Sequence, residues 1–336
     1  MSKVLNSFLT RILIATEATQ GTPITGTNFS YVWPSSESDG LTPGEEPFDE
    51  VAIRGARGQL STGFRQLQCL PGGNLGAAPI QLLPESAMAL SILMSHFQKV
   101  TIAGTAAPYT YTFGPQTAGI EDGTFHTLTV LKDTGITDKC QEYAGCIADS
   151  IEFSWERGGV MKWTPEFKAM SVSSVATTPT NTISLGTGGF LQAPNIAVTY
   201  NGTAIYPTGF TFNSMNNSAD RQSGNARGRV GHLLGDYSGE ITLSTFRDDN
   251  FYNHFVAPYN ANTIGTLEIT STMDTSYGTT SSGVAVTTVI TALVRIAESP
   301  ELAVTTGEMI ETVNFKVVAD TLPTVSITQL TGALVS

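Results

Sequence analysis

The sequence is poor in charge, and most of the charge that it carries is negative. Only 14% of its 336 residues are Asp, Glu, Lys or Arg, and 29 acidic residues face 17 basic ones. A typical globular domain is about 25% charged, so Ser, Thr, Asn, Gln and Gly must cover much of this surface. The formal net charge of −12 argues against a phosphate-binding surface, because DNA binding depends on Lys and Arg displacing counterions.

Cysteine and long apolar runs are also scarce. Cys69, Cys140 and Cys146 cannot form a closed disulfide framework, and they lack the CxxC spacing of a metal or redox site. The apolar stretch 4–14 is interrupted by polar residues, unlike the core of a signal peptide. No later segment has the roughly 18 apolar residues of a membrane span. The sequence therefore predicts a soluble protein that is made and used without export.

Motifs of catalysis and cofactor binding are missing as well. The four histidines lie far apart without HxxxH or HExxH spacing, and the glycine-rich segment 224–231 lacks the Lys-Ser/Thr of a P-loop. No G-x-S-x-G elbow occurs. We therefore predict no enzymatic activity, no cofactor and no metal site.

The sequence does contain many short runs of Thr, Val, Ile, Tyr and Phe, separated by Gly, Pro, Asn and Ser. This pattern is typical of a mainly β fold. In residues 147–155 the odd positions Ile147, Ile151, Phe153 and Trp155 are apolar and the even positions are largely polar, which predicts one core face and one wet face. The three-residue turn 157–159 would then pair Phe153 with Trp163.

A second hairpin and two helices can also be predicted. Asn201-Gly202 is a type I′ turn signal, and it would place Val198 opposite Ile205. The segment 83–94, with Pro in its first turn, favours a helix. A shorter helix over 251–256 would be capped by the segment 248–250.

The order of these features repeats along the chain. Each predicted helix follows a glycine and a short strand, and one set of residues recurs at constant spacing: Gly159, Met161, Thr164, Phe167 and Lys168 match Gly307, Met309, Thr312, Phe315 and Lys316. Chance similarity between strands of biased composition is the alternative. We interpret the pattern as two tandem copies of one β domain: an N-terminal arm (1–19), a first domain (20–172), a linker (173–194) and a second domain (195–336).

Three segments resemble one protein family. They are Glu17-Ala18-Thr19-Gln20-Gly21-Thr22-Pro23, the strand Tyr143-Ala144-Gly145-Cys146-Ile147-Ala148-Asp149-Ser150 with its glycine turn, and Gly239-Glu240-Ile241-Thr242-Leu243 before the second helix. Together they resemble the tail tube proteins, or major tail proteins, of long-tailed siphovirus-type bacteriophages. The matches are spread over nearly the whole chain in the family's order, and none is a catalytic signature.

The resemblance implies two tandem tail-tube-type β-sandwich domains, each with one flanking short α-helix. Subunits of this family join their strands into rings, and the rings stack into the conduit for genome delivery. Rings commonly contain six such domains, so two domains per chain imply a homotrimer with pseudo-sixfold symmetry, and one domain per chain a homohexamer. The implied partners are the tape-measure, tail-tip and tail-terminator proteins. The implied location is the virion tail, after assembly in the host bacterial cytoplasm.

The acidic charge fits a conduit that must let DNA pass without binding it. The candidate lumen-facing acids are Glu152 and Glu156 on the first hairpin, with Glu308 and Glu311 on the equivalent hairpin of the second domain. Ordinary solvated acids on the tube exterior are an equal alternative.

Basic residues cluster in predicted loops instead. The candidate contacts to the next ring or subunit are Arg54, Arg57, Arg65, Arg221, Arg227 and Arg229. An arginine can make a bidentate hydrogen-bonded contact with a carboxylate. Solvated loop charges are the alternative. The polar segment 213–239 and the N-terminal arm through Gly44 are expected to be mobile in an isolated subunit.

The alternative is a protein of a different functional class, a two-domain β-sandwich adhesin or carbohydrate-binding module. Such a protein stacks sugars on exposed aromatic rings. Trp155 and Trp163 fall on predicted core faces, so only Trp33 would be free for that role.

Overall fold

A computed structural model describes residues 11–24, 31–34, 41–42, 45–47, 53–54, 60–61, 67–76, 78–79, 87–104, 109–115, 125–133, 140–175, 195–222, 229–247, 251–272, 286–304, 309–318 and 323–330. Strands dominate these residues, and the helices are short. The prediction of a mainly β fold is confirmed.

The strands of the first half are short, apart from β12. They are β1 (Arg11–Thr16), β2 (Tyr31–Pro34), β3 (Glu45–Pro47), β4 (Ile53–Arg54), β5 (Leu60–Ser61), β6 (Leu67–Cys69), β7 (Gly72–Asn74), β8 (Ala78–Pro79), β9 (Gln98–Ala103), β10 (Tyr109–Pro115), β11 (Leu128–Asp133), β12 (Cys140–Glu156), β13 (Lys162–Lys168) and β14 (Ser171–Val175). One helix, α1 (Ala87–Phe97), interrupts them.

The second half has the longer strands. They are β15 (Ile196–Tyr200), β16 (Thr203–Ile205), β17 (Pro207–Met215), β18 (Ala219–Gln222), β19 (Arg229–Leu233), β20 (Ser238–Phe246), β21 (Ile264–Thr272), β22 (Thr287–Ile296), β23 (Glu301–Val304), β24 (Met309–Val317) and β25 (Thr324–Leu330). A π-helical turn (Tyr252–Val256) and α2 (Ala257–Asn260) stand between β20 and β21.

The same antiparallel pairings occur in both halves. In the first half β1 pairs with β2 and β11, β11 with β12, β12 with β13 and β14, and β13 with β7. In the second half β15 pairs with β16 and β21, β21 with β22, β22 with β24 and β25, and β24 with β20. Strands β13 and β24, which carry the matched Thr, Phe and Lys of the sequence repeat, occupy the same place in each set.

Strands of the two halves also pair with each other. The second half of β12 lies beside β17, and β10 lies beside β25. Hydrogen-bonded sheet therefore crosses the predicted domain boundary. The division into two domains stays a prediction, and most of the predicted linker, residues 176–194, lies outside the described residues.

The start of the chain differs from the loose arm that we expected. β1 lies between β2 and β11, and Ile12, Leu13 and Ile14 are almost completely buried. Three consecutive apolar residues suit a strand that is covered on both faces. Residues 11–16 are therefore part of the core, and residues 1–10 lie outside the described part.

Both predicted hairpin registers are confirmed. Phe153 lies opposite Trp163, and Gly158 in the turn has a φ of 82°. Val198 lies opposite Ile205, and Asn201 and Gly202 have φ angles of 50° and 75°. Two positive φ angles in succession are the type I′ geometry that Asn-Gly favours.

The predicted alternation fails at one point of β12. Ala148 lies opposite Phe167 and Ser150 opposite Glu166, so Asp149 is an extra residue, a β-bulge. The bulge places Ala148, rather than Ile147, on the face that carries Ile151 and Phe153. The prediction that Ile147 shares that face is therefore wrong.

Helical segments lie near both predicted positions, with shifted bounds. α1 packs against β12, and its residues from Ala89 to Phe97 are buried. In the second half Phe255 packs against the rings of Tyr200 and Phe315, at centroid distances of 6.0 and 6.2 Å. The predicted cap of this second helix, 248–250, lies outside the described residues.

Candidate functional site

One sheet combines strands of both halves in the order β13, β12, β17, β20, β24. Because paired residues in a sheet point to the same side, the register assigns every side chain to a face. Phe153, Phe212, Ile241 and Phe315 lie in one row and are buried. The neighbouring row, Glu152, Asn213, Glu240 and Lys316, therefore points the other way.

We call the outward side of this sheet the polar face. All its side chains are partly or fully exposed, and they are mostly hydroxyl, amide or charged groups. They are Ser150, Glu152, Ser154 and Glu156 on β12, Lys162, Thr164 and Glu166 on β13, Thr211, Asn213 and Met215 on β17, Ser238, Glu240, Thr242, Ser244 and Phe246 on β20, and Ile310, Thr312, Asn314 and Lys316 on β24. Glutamates outnumber lysines on it, so the polar face is weakly acidic.

Two of the four predicted acids, Glu152 and Glu156, lie on the polar face. Glu308 lies outside the described residues. Glu311 does not lie on this face, because it alternates with Thr312 on β24 and points to the opposite side, where it is 2% exposed. Its carboxylate pairs with Arg247 at 3.1 Å. Burial raises the pKa of Glu311, and the Arg247 guanidinium opposes part of that rise.

Sequence reasoning missed two further acids on the polar face, Glu166 and Glu240. Glu166 alternates with buried Pro165 and Phe167, and Glu240 with Gly239 and Ile241. Strict alternation in these strands is the signal that could have found both. Glu240 lies 3.9 Å from the Lys316 ammonium, and both side chains are more than half exposed, so this pair contributes little to stability.

Only Arg221 and Arg229 of the six candidate arginines have described side chains. Arg221 is exposed on β18. Arg229 is buried: its guanidinium pairs with Asp220 and donates hydrogen bonds to the carbonyls of Pro71 and Ala169. The prediction that Arg229 contacts another subunit is therefore wrong, because its donors are used within its own chain. Arg54, Arg57, Arg65 and Arg227 have no described side chains, although β4 includes the backbone of Arg54.

The segment 213–239, predicted to be a mobile loop, contains the β18–β19 hairpin and is anchored to the first half. The bulged residue Asp149 accepts a hydrogen bond from the Ser218 amide at 2.8 Å and pairs with Lys168 at 2.8 Å. Burial alone would raise the pKa of Asp149, but hydrogen bonds from Lys168 and Ser218 bring it below its ordinary value. The hairpin tip, 223–228, lies outside the described residues.

Two of the motifs that carry the family resemblance meet in the structure. Glu17 is 7% exposed, and its carboxylate accepts hydrogen bonds from the amides of Gly21 and Gly145, both at 2.8 Å. The hydroxyls of Thr127 and Thr129 donate to the same carboxylate at 2.6 and 2.9 Å. A buried charge is tolerated when it is so fully hydrogen-bonded. The first and second motifs are therefore in direct contact, through the hydrogen bond between the Gly145 amide and the Glu17 carboxylate.

A chain of buried hydrogen bonds ties α1 to the central sheet. His96 Nδ1 lies 2.8 Å from the Ala148 carbonyl, which can only accept, so Nδ1 carries the proton. His96 Nε2 then accepts from the Ser214 hydroxyl at 2.7 Å, and Ser214 lies 2.7 Å from the Tyr237 hydroxyl. Burial lowers the pKa of His96 to about 4. This histidine is a neutral structural group.

Stability should fall as the medium becomes acidic, because His96 and His232 both resist protonation in the fold. Burial lowers the pKa of each from 6.5 to about 4, so the unfolded chain binds these protons first. Each neutral histidine contributes about 3 kcal/mol to the free energy of unfolding. This contribution is complete above pH 6.5 and is lost as the pH falls to about 4. Urea unfolding between pH 4 and 7 measures the slope.

The variant His96→Gln should reduce the slope of the free energy of unfolding against pH, because about one proton fewer is taken up on unfolding. Tyr237→Phe is the matched control, because it removes a hydrogen bond from the same chain without removing a group that titrates in this range. It should lower the free energy of unfolding and leave the slope unchanged. Equal slopes in wild type and His96→Gln would contradict the buried, neutral state of His96.

Comparison with known proteins gives no family. No family model matches this chain, and no curated protein matches it significantly. Within the described residues, no cluster of His, Cys, Asp and Glu side chains is placed to hold a metal ion. None of the helices in that part of the chain has the length and apolar composition that crossing a bilayer requires.

Proposed function

We propose that this chain is a structural virion protein that assembles into stacked rings, and that the rings form the tail tube of a long-tailed bacteriophage. In this proposal the polar face lines the tube and DNA passes along it without specific binding. The main partner is the chain itself. By family resemblance, the tape-measure, tail-tip and tail-terminator proteins are further partners, and the rings assemble in the host bacterial cytoplasm.

The observation that carries the proposal is the polar face itself. It extends over strands of both halves, and its described members are mostly hydroxyl, amide and acidic side chains. Phe246 is its one aromatic member among the described residues, and the Arg157 guanidinium lies 5.4 Å from the centroid of that ring. Serine, threonine and asparagine hydrogen-bond to water, while the glutamates repel phosphates. Such a surface gives a polyanion few places to bind, which is what a DNA conduit requires.

The repeated strand pairing supports two copies of one domain within the chain. In each half a strand that precedes the helical segment pairs with the strand that carries the matched Phe-Lys, β7 with β13 and β20 with β24. If a ring needs six such domains, three chains complete it with pseudo-sixfold symmetry. A homohexamer is the alternative.

Electron microscopy of the purified protein tests this proposal. Negative-stain images at high protein concentration should contain rings or tubes, and averaged end views should have three chains per ring. Six chains per ring would contradict the two-copy interpretation. Discrete monomers at all concentrations would contradict the tube proposal and favour the binding-module alternative.

The binding-module alternative has less support from the described residues. Trp155 and Trp163 are buried, at 5% and 1% exposure, and pack in the core. The side chain of Trp33 lies outside the described part. Tyr206 and Tyr252 are exposed, but neither belongs to the polar face.

A further inference from the structure

Two strand pairs join the halves, β10 with β25 and β12 with β17, and the second pair carries the polar face across the junction. Glu152 of β12 lies opposite Asn213 of β17, and on its other side it lies opposite Thr164 of β13. Asn213 in turn lies opposite Glu240 of β20. The sheet continues from the first half to the second through this row.

The first half contains an equivalent of β17 that lacks such a partner. In the second half Lys316 lies opposite Glu240, and Glu240 lies opposite Asn213. In the first half the matched Lys168 lies opposite Gly72, and Gly72 bridges to Thr42. Thr42 therefore occupies the place of Asn213.

The neighbouring residues support this equivalence. Leu41, which precedes Thr42, is 3% exposed, and Phe212, which precedes Asn213, is completely buried. Thr42 is exposed. Asn213 has β12 on its far side, whereas the described residues contain no strand that pairs with the far side of Thr42.

The second half contains an equivalent of β12 that is paired on one side only in the described part of the chain. Glu301 of β23 lies opposite Thr312 of β24, just as Glu152 lies opposite the matched Thr164. β22 and β23 together therefore correspond to the single long strand β12. They are separated by the segment 297–300, which contains Pro300, and proline cannot donate to a strand ladder.

The far edge of β23 is the unused one. β12 pairs with β13 on one side and with β17 on the other, whereas β23 pairs with β24 alone among the described residues. An open strand edge presents unpaired amide and carbonyl groups and is a template for another strand. Among the described residues this sheet thus has two complementary open edges, the far side of Thr42 at one end and the far side of β23 at the other.

We propose that these two edges join between copies: β23 of one chain pairs antiparallel with the Leu41–Thr42 segment of the next, with Glu301 opposite Thr42. This inference rests on the proposed function and gives its rings a specific contact. The pairing repeats, between chains, the junction that β12 and β17 make within one chain. Because the two edges are different surfaces, the contact is head-to-tail, and such contacts close into rings when their rotation permits.

Paired cysteines can test this register. Opposite residues in antiparallel strands have Cα atoms about 4.5–5.5 Å apart, within the range of about 4.4–6.8 Å that a disulfide spans. The variant E301C/T42C is assembled, oxidised and separated on a denaturing non-reducing gel. We expect a ladder of linked chains that ends at the closed ring, and no ladder from either single variant.

Two matched variants make the outcome decisive. E152C/N213C places cysteines at the equivalent junction within one chain and should form an internal disulfide without a ladder. E301C/E46C shifts the register and should not cross-link. Tubes that form without an E301C/T42C ladder, while E152C/N213C oxidises, would overturn this inference alone. Wild-type protein that forms no rings would overturn the proposed function and this contact with it.

Discussion

Replacing Gly145 with alanine is expected to destabilise the fold by about 3 kcal/mol. Gly145 has a φ of 64°, and a Cβ there would lie 2.6 Å from Met170 Sδ and 2.8 Å from Met170 Cγ. The left-handed backbone costs a non-glycine residue roughly 1–2 kcal/mol, and overpacking adds roughly 1–3 kcal/mol. In a chain of this length the melting temperature should fall by about 4 °C, which calorimetry can measure.

Gly158→Ala is the matched control for this prediction. Gly158 also has a positive φ, of 82°, but a Cβ there would meet nothing within 4 Å. It should cost only the backbone term, about 1 kcal/mol. Shortening Met170 to alanine in the Gly145→Ala background should recover part of the difference. Equal losses from Gly145→Ala and Gly158→Ala would show that the space beside Gly145 is not restrictive.

Reversing two charges of the polar face, with E152K/E240K, is expected to make assembled tubes retain DNA. The two residues flank Asn213 in one row, and three chains per ring would place six new lysines around the lumen. Six phosphate contacts give a salt slope of roughly −5, so binding should weaken about a thousandfold between 50 and 200 mM salt. Anisotropy of a labelled DNA duplex mixed with open-ended tubes measures this retention.

The neutral variant E152Q/E240Q separates the effect of removing two carboxylates from the effect of adding two lysines. It removes the same two carboxylates and adds no phosphate partner, so its tubes should release DNA as wild-type tubes do. Tubes of E152K/E240K that bind DNA no better than wild type would mean that the polar face does not line the conduit. The exterior location that the sequence left open would then be favoured.

Local chemistry made part of this fold predictable from the sequence. Asn201-Gly202 favours one turn type, and a turn type fixes the register of its strands. Glu152 and Glu156 were placed correctly on the outward side of the sheet, because side chains alternate between the two sides of a strand. The core positions of Trp155 and Trp163 followed from the same alternation.

Features that depend on distant contacts could not be predicted. The bulge at Asp149 depends on Lys168 and on Ser218, 69 residues away. Arg229 lies in a glycine-rich segment that predicts a loop, yet its guanidinium binds carbonyls of Pro71 and Ala169. Alternation within β24 also separates Glu311 from the exposed face. No local pattern indicates which carbonyl or carboxylate a side chain will meet after folding.

The pairing of β10 with β25 has a consequence for biosynthesis. Thr112 and Ser326, whose hydroxyls are hydrogen-bonded across these strands, are 214 residues apart. Ribosomes add roughly 5–20 residues per second, so β10 waits about 10–40 seconds for its partner to emerge. During that interval nascent chains on neighbouring ribosomes expose the same unpaired edge. Emergence of β25 from the ribosome is therefore the event that pairs and protects this edge of β10.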